Sequence, residues 1–493
     1  MFRVRRVLPA LLFAAVPLCA LAAPDFDRDA WRADYATLKQ ALERDYANLA
    51  WIGSTQSGVD LPALDRQTRR ALDSAENDAQ AEQAIRDFVA GFHDGHFSFL
   101  TTLQTGAAAA EPASVDLTAA DAASGCAALG VGAGGHPGFS LPFESLPGFK
   151  LLSDGMDQPL RTGLLTTPQG PRIGLLRLPE FAPTAYLGLC RQVWQQLRSE
   201  DSADDMRDAL MDALADAVAT ALQGFAAAKA DLVLVDVGND PGGNDSGDVL
   251  TRLFTTRPVH SAPLLVSQSP AGTAYLDEQL HRLTGALQEH HPDPAARRLL
   301  RQSTAAFQQS RRSAGDAPCD LSWTWSERRD WNAMPCRRLV EAGSSGGPLD
   351  YLPADAIADM TIAHRLNWAQ DVRAHWGAWT GPVYVLTDAK TYSSAEMFAA
   401  RMHDNGIART VGVRTGGDGC GFMVASPPTT LPHSRLRLRM PNCVRLRADG
   451  SDEVAGIAPD LPVLPQSGES DRARAWRLLQ TVGADWRTRH GGG

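Results

Sequence analysis

Downstream of residue 25 the apolar positions Trp31, Tyr35, Leu38, Leu42 and Tyr46 recur at three- and four-residue steps, which sets them on one face of a helix. Leu61–Leu72 and Ala81–Phe92 read as two further helices, so residues 23–100 are expected to form a small helical lobe ending in a turn that carries His96. Residues 101–170 are rich in Ala, Gly, Pro and Ser and lack clear periodicity; with short strands near Phe139–Leu152, they read as an irregular β-rich module. Arg172–Leu178 then reads as a strand. Met206, Leu210, Leu214, Val218, Leu222 and Phe225 mark an amphipathic helix, and Leu232–Val237 is an unbroken apolar run of the kind a buried strand needs. Val383–Leu386 followed by a helix from Ser394 repeats the order, and strand–helix–strand alternation predicts an α/β core over 171–465. Inside it, 265–380 is expected to be a helical insertion, with helices at Tyr275–Leu287 and Ala295–Phe307 and with Trp323, Trp325 and Trp331 filling its own core. Leu436, Leu438 and Met440 alternate with Arg435, Arg437 and Arg439, which predicts a strand with one apolar face and one solvated cationic face. Residues 466–493 add a short helix around Arg472–Val482 and a tail.

The first 22 residues combine Arg3, Arg5 and Arg6, an apolar run from Leu8 to Leu21, and the small-residue site Ala20-Leu21-Ala22. This is the pattern of a cleaved secretory signal peptide, and the apolar run is shorter than a membrane span, so the mature protein is expected to be periplasmic or secreted without a stable membrane anchor. Cleavage removes Cys19 and leaves Cys126, Cys190, Cys319, Cys336, Cys420 and Cys443, an even number suited to disulfides in an oxidising compartment. Spacing favours Cys319–Cys336 and Cys420–Cys443, with Cys126–Cys190 as the remaining pair. Loss of the three leader arginines lowers 47 basic residues to 44 against 57 acidic ones, a formal charge of −13, which argues against a nucleic-acid partner. The mature chain, roughly 470 residues, is long enough for two or three domains.

The chemistry begins at Thr391-Tyr392-Ser393-Ser394-Ala395-Glu396, where a strand hands over to a helix. Serine in that place is most often an N-cap, but unpaired amides at a helix start also stabilise an attacked carbonyl. Two other segments complete a set: Asp94-Gly95-His96-Phe97-Ser98-Phe99 upstream, and Asp236-Val237-Gly238-Asn239-Asp240-Pro241-Gly242-Gly243 in the middle. In this order the three segments resemble the C-terminal-processing (tail-specific) serine peptidases, and more closely their lysine-free branch, which includes the tricorn core protease and retinoid-binding-protein-like repeats. The resemblance runs over most of 25–465 and is patchy across 101–170, where relatives often carry a PDZ domain, and 265–380. It implies a ClpP/crotonase-like α/β core whose β-sheet is flanked by helices.

Carried over position by position, the resemblance implies Ser393 as the nucleophile, in an S-x-x-E pattern with Glu396, while Ser394 competes for that role or supplies an oxyanion amide. Gly242 or Gly243 would supply the other amide, because glycine allows a backbone N–H to approach a substrate closely. In the lysine-dependent branch a T-x-G-K-like segment supplies the base. Here Thr415-Gly416-Gly417-Asp418-Gly419 carries Asp418 at that point, and Lys390 reads as a solvated side chain, so His96 is the expected base. Glu453, in Glu453-Val454-Ala455-Gly456-Ile457-Ala458-Pro459-Asp460, is the expected partner of the imidazole, with Asp452 as the fallback. Gly238 and Asp240 depart from the D-x-R-N-N-P-G-G pattern of relatives and leave local support and charge open. No CxxC or HExxH spacing indicates a metal, the GxGxxG match at 130–135 follows no strand, and no cofactor is implied.

The first reading is therefore an exported serine endopeptidase acting on peptides or unfolded proteins. The second is a catalytically weakened binder of peptides or apolar ligands on the same fold. A third is an esterase with the same residues, although the G-x-S-x-G elbow of α/β-hydrolases is missing.

Overall fold

Seven strands lie side by side in chain order: Phe149–Asp154, Arg161–Thr166, Arg172–Arg177, Leu232–Asp236, Val383–Thr387, Arg409–Gly412 and Leu461–Pro462. This computed structural model describes residues 26–100, 121–132, 138–166, 170–197, 203–289, 292–353 and 355–490; the leader expected over 1–22 lies outside them. The first three strands pair antiparallel, and every later pairing is parallel. Leu232–Asp236 and Val383–Thr387 are buried at every position, because a parallel sheet is covered on both faces and its strands read as continuous apolar runs. Alternate side chains go opposite ways. Val233 and Val235 meet Leu214, Val218 and Phe225 of the helix Ala203–Ala227 and Phe398 of the helix Ser394–Asp404. Leu232 and Leu234 meet Leu478, Leu479 and Val482 of the C-terminal helix Asp471–His490, which is longer than the sequence pattern implied. The fold is the α/β sheet flanked by helices that the pattern predicts.

Where it is described, the stretch 101–170 does not stand apart as a module. Its two strands extend the main sheet, and its helix Ala122–Ala128 is tied to the helix Leu187–Leu197 by Cys126–Cys190. The other two disulfides are Cys319–Cys336 and Cys420–Cys443, the two pairs favoured by spacing, and Cys126–Cys190 is the pair that remained. The insertion contributes an antiparallel pair of helices, Pro270–Glu289 and Pro294–Ala314, packed on a small sheet of Pro263–Ser267, Leu339–Ser344 and Cys443–Arg445.

The N-terminal lobe consists chiefly of the helices Arg28–Asp45, Leu61–Ser74 and Asp78–Ala90, each started by a side chain that accepts a backbone N–H: Asp27, Asp60 and Asn77. Such caps are worth about 1 kcal/mol each. The insertion's tryptophans do not fill its own core. Trp323, Trp325 and Trp331 are buried in the lobe's apolar cluster, with Trp325 Nε1 donating to Glu43 at 2.5 Å and Trp331 lying edge-on to Trp51. They strap the lobe to the rest of the molecule, a contact between segments remote in sequence. A second strap is the pairing of Ser98–Phe99 with Arg437–Arg439, whose Leu438 is buried in the same cluster. Arg439 on that strand is not merely solvated: its guanidinium lies 3.5 Å from the centre of the Phe422 ring. The lobe is thereby pinned close to the carboxyl ends of the central strands, where α/β sheets build their sites.

Candidate active site

The strands Leu232–Asp236 and Val383–Thr387 are parallel neighbours with Asp236 opposite Leu386, so the loops leaving their carboxyl ends emerge together. Tyr392 N donates to Asp240 O at 2.9 Å, Asn239 N to Asp388 Oδ1 at 3.0 Å and Thr391 Oγ1 to Val237 O at 2.9 Å, fastening one loop to the other. Ser393 occupies the junction with the helix Ser394–Asp404 at φ +51° and ψ −116°, a region that disfavours side chains, and its hydroxyl makes no capping bond. The usual N-cap role is therefore absent, and the turn holds a strained serine of the sort found at functional sites, a strain of about 1–3 kcal/mol. Ser394 is only 4% exposed, whereas Ser393 is part-exposed, which favours Ser393 as the attacking group. Because glycine tolerates this backbone, Ser393→Gly should be more stable than Ser393→Ala by about 1 kcal/mol in denaturant unfolding. Equal midpoints would mean that the turn stores no strain.

Gly242 packs directly on Ser393. At its φ of +102°, an added Cβ would lie 2.5 Å from Ser393 Cβ and 2.9 Å from Ser394 N. Its own N–H is committed to Asp240 Oδ1 at 2.7 Å, so Gly242 shapes the site without offering a free oxyanion donor. Among the described residues the N–H groups of Gly243 and Ser394 have no hydrogen-bond partner, which leaves those two as the available donors. Asp240 is fully buried with Oδ2 unpartnered, and burial pushes its carboxyl well above the ordinary range, against the pull of the Gly242 N–H and Arg177. Gly238 leaves no room for a side chain: a Cβ there would lie 2.5 Å from Ser140 Oγ. Ser140 and Arg177 instead brace Asp236, through Ser140 Oγ to Oδ1 at 2.6 Å and Arg177 Nη1 to the Asp236 carbonyl at 3.0 Å.

His96 arrives from the lobe. Asp94 forms its turn, with Oδ1 accepting from His96 N at 2.9 Å and Oδ2 from Tyr46 Oη at 2.7 Å. The ring sits over Gly421, where a Cβ would come within 2.7 Å of it, and edge-on to Phe422. His96 Nδ1 lies 2.7 Å from the Asp418 carbonyl oxygen. A carbonyl only accepts, so Nδ1 carries the proton and Nε2 holds the lone pair, the tautomer a general base requires. Burial lowers the imidazole pKa, while the Asp418 carbonyl and Asp94 oppose the shift. His93, on the same turn, is exposed.

Asp418, which the sequence offers only as a missing lysine, stands between His96 and Ser393. Its Oδ1 accepts from Ser393 N at 2.6 Å and its Oδ2 lies 3.6 Å from His96 Nε2. Burial pushes the Asp418 carboxyl up to about 6, against the pull of its hydrogen bonds to Glu396 and the Ser393 amide. The loop is held from beneath by Glu396, fully buried, which accepts from Thr415 Oγ1 at 2.5 Å, Gly417 N at 2.7 Å, Asp418 N at 3.0 Å and Gly419 N at 3.2 Å. The glutamate of the S-x-x-E pattern thus ties the nucleophile's helix to the Asp418 loop.

Glu453 makes no hydrogen bond to His96. Its Oε1 accepts from Arg445 Nε at 3.1 Å and Nη2 at 2.6 Å, and its Oε2 is buried without a partner. Arg445 Nη2 also reaches the carbonyls of Gly419 at 2.8 Å and Ser393 at 3.3 Å, so Glu453 acts on the nucleophile's turn through an arginine that sequence reasoning missed. Asp452 caps the short turn that follows by accepting from Val454 N at 3.0 Å. A groove of about 570 Å³ is lined by Asn244, Asp245, Tyr275, Trp368 and Met423, among others, and not by Ser393 or His96.

Residues 172–463 match the model of peptidase family S41. Among solved structures, mature CPAF is similar at 14% identity and a TM-score of 0.53, with 94% of this chain and 99% of that one covered. Mature CPAF complexed with lactacystin is similar at 15% identity and a TM-score of 0.51, covering 92% of this chain and 98% of that one. These likenesses speak for the fold. No curated protein sequence matches the chain.

Proposed function

This chain belongs to peptidase family S41 and is a serine peptidase of the C-terminal-processing type, and we propose that it is exported and cleaves peptides or unfolded proteins through an acyl-enzyme on Ser393. Ser393 Oγ attacks the scissile carbonyl carbon while its proton passes to His96 Nε2, and the tetrahedral oxyanion is met by the N–H groups of Gly243 and Ser394. Collapse returns that proton to the leaving amine, and water, deprotonated by the same imidazole, hydrolyses the ester. Glu453 serves the site through Arg445, which holds the Ser393 turn. The groove lined by Asn244 and Asp245, the residues that follow Gly243 in the chain, offers room for substrate side chains.

The observation that carries this reading is the convergence at Asp418, which bonds to the Ser393 amide and to the His96 ring although the three residues come from remote stretches. Export is supported by the leader pattern and by the three disulfides; among the described residues no helix is long and apolar enough to cross a membrane. Among the described residues Ser393 Oγ has no hydrogen-bond partner, which suits a site that tightens on its substrate. The same looseness, with the Gly242 amide taken by Asp240, favours a second reading as a peptide-binding protein of weak activity. Casein separates the two: the peptidase reading expects fragmentation that stops in Ser393→Ala, and binding without fragmentation by folded protein supports the second. Cleavage of p-nitrophenyl esters with casein untouched would point to an esterase.

A further inference from the structure

Asp418 is unusual in touching both halves of the site with different groups. Its backbone carbonyl receives His96 Nδ1 at 2.7 Å, the position held by the orienting acid in a serine–histidine–acid arrangement. Its carboxylate receives the Ser393 N–H at 2.6 Å and faces His96 Nε2 at 3.6 Å, where the imidazole becomes charged on taking the serine proton. Glu453, by contrast, gives its Oε1 to Arg445 and makes no hydrogen bond to His96. We propose that Asp418 is the acid partner of the Ser393–His96 pair: a positioning residue that fixes the imidazole tautomer through its carbonyl and stabilises the imidazolium through its carboxylate. The proposal rests on the reading of Ser393 and His96 as nucleophile and base.

The loop geometry explains why a carboxylate stands at this point. Glu396 anchors Thr415 Oγ1 and three consecutive amides from Gly417 to Gly419, so the direction in which Asp418 projects is set by the nucleophile's own helix. The imidazolium forms in a pocket whose titratable groups are Asp94 from the lobe turn, Arg445 from the small sheet, Asp418 itself, and Glu396 from the helix Ser394–Asp404, a carboxyl that burial and the Asp418 charge push well up. Arg445 disfavours a second positive charge, Asp94 favours it from farther away, and Asp418 is the carboxylate beside Nε2. Asp418 is ionised above about 6 and burial holds His96 below its ordinary value, so both must lose a proton before the site is competent.

The test is the pH dependence of Ser393 labelling by a fluorophosphonate, compared between wild type and Asp418→Asn, which keeps the loop carbonyl and an oxygen for the Ser393 amide. Wild type should lose rate on acidification with a limiting slope approaching two decades per pH unit, whereas Asp418→Asn should show a slope of one and a plateau about 100-fold lower. An Asn variant with the wild-type slope and plateau, or a faster one, overturns the proposal. Should Asp418→Asn not fold, Asp418→Ser carries the same comparison, with thermal melting as the check on folding. Wild type that never labels at Ser393 at any pH while folded would defeat the underlying reading, a result distinguishable from failure of the Asp418 assignment alone.

Discussion

Ser393→Ala is expected to lower kcat/KM on an unfolded protein substrate by about 10⁴–10⁶-fold while changing the folding free energy by no more than about 0.5 kcal/mol. The two parts follow from one geometry. The Ser393 hydroxyl makes no capping bond, so its removal costs the fold little, whereas acyl transfer has no other nucleophile with this access because Ser394 is buried. His96→Ala should fall nearly as far, and the double variant should be no worse than either single one, since nucleophile and base act as a unit. Steady-state kinetics on the three variants, with urea unfolding as control, checks both parts. A double variant that multiplies the single losses would show that the two residues work independently.

Arg445→Met should destabilise the protein by about 3–5 kcal/mol, the cost of leaving a buried carboxylate without its partner. The pair is almost solvent-free, with side-chain exposures of 6% for Arg445 and 0% for Glu453, so screening does not soften the loss. Adding Glu453→Leu should recover much of that stability, because an apolar pair of similar volume removes the uncompensated charge. Activity should not return, since the carbonyls of Gly419 and Ser393 lose the guanidinium that holds them. Urea unfolding of the single and double variants, alongside turnover, separates the two effects. Recovery of turnover in the double variant would reduce Arg445 to a purely structural role.

These expectations show which parts of the molecule can be read from residues in order. Leu232–Val237 and Val383–Leu386 are legible because a strand covered on both faces must be apolar throughout, and Met206 to Phe225 because one helix face is buried. Two of the disulfides follow from spacing, and Cys126–Cys190 is the pair left once they are made. Ser393 is legible as a candidate, but its freedom from capping depends on a backbone angle that no residue pattern encodes. Asp418 is opaque for a related reason: half of its contribution is a carbonyl, which every residue possesses, and its side chain stands where the lysine-dependent branch has its base, so it reads as the loss of a base. Glu453 is legible as a candidate acid, yet its partner is fixed by the small sheet that brings Arg445 within reach. The Gly242-Gly243 pair reads as two possible donors, and only the Asp240 contact distinguishes them. Trp323, Trp325 and Trp331 carry no mark of destination, since burial in the lobe and burial in the insertion make the same demand on a side chain.

The central claim is that the His96 imidazole activates the Ser393 hydroxyl. Peptide mapping after fluorophosphonate treatment at pH 8 tests it most directly: wild type should carry one adduct, on Ser393, and His96→Ala should be labelled at least about 100-fold more slowly. An adduct on Ser394 instead, or labelling of Ser393 at the same rate without the imidazole, would contradict it.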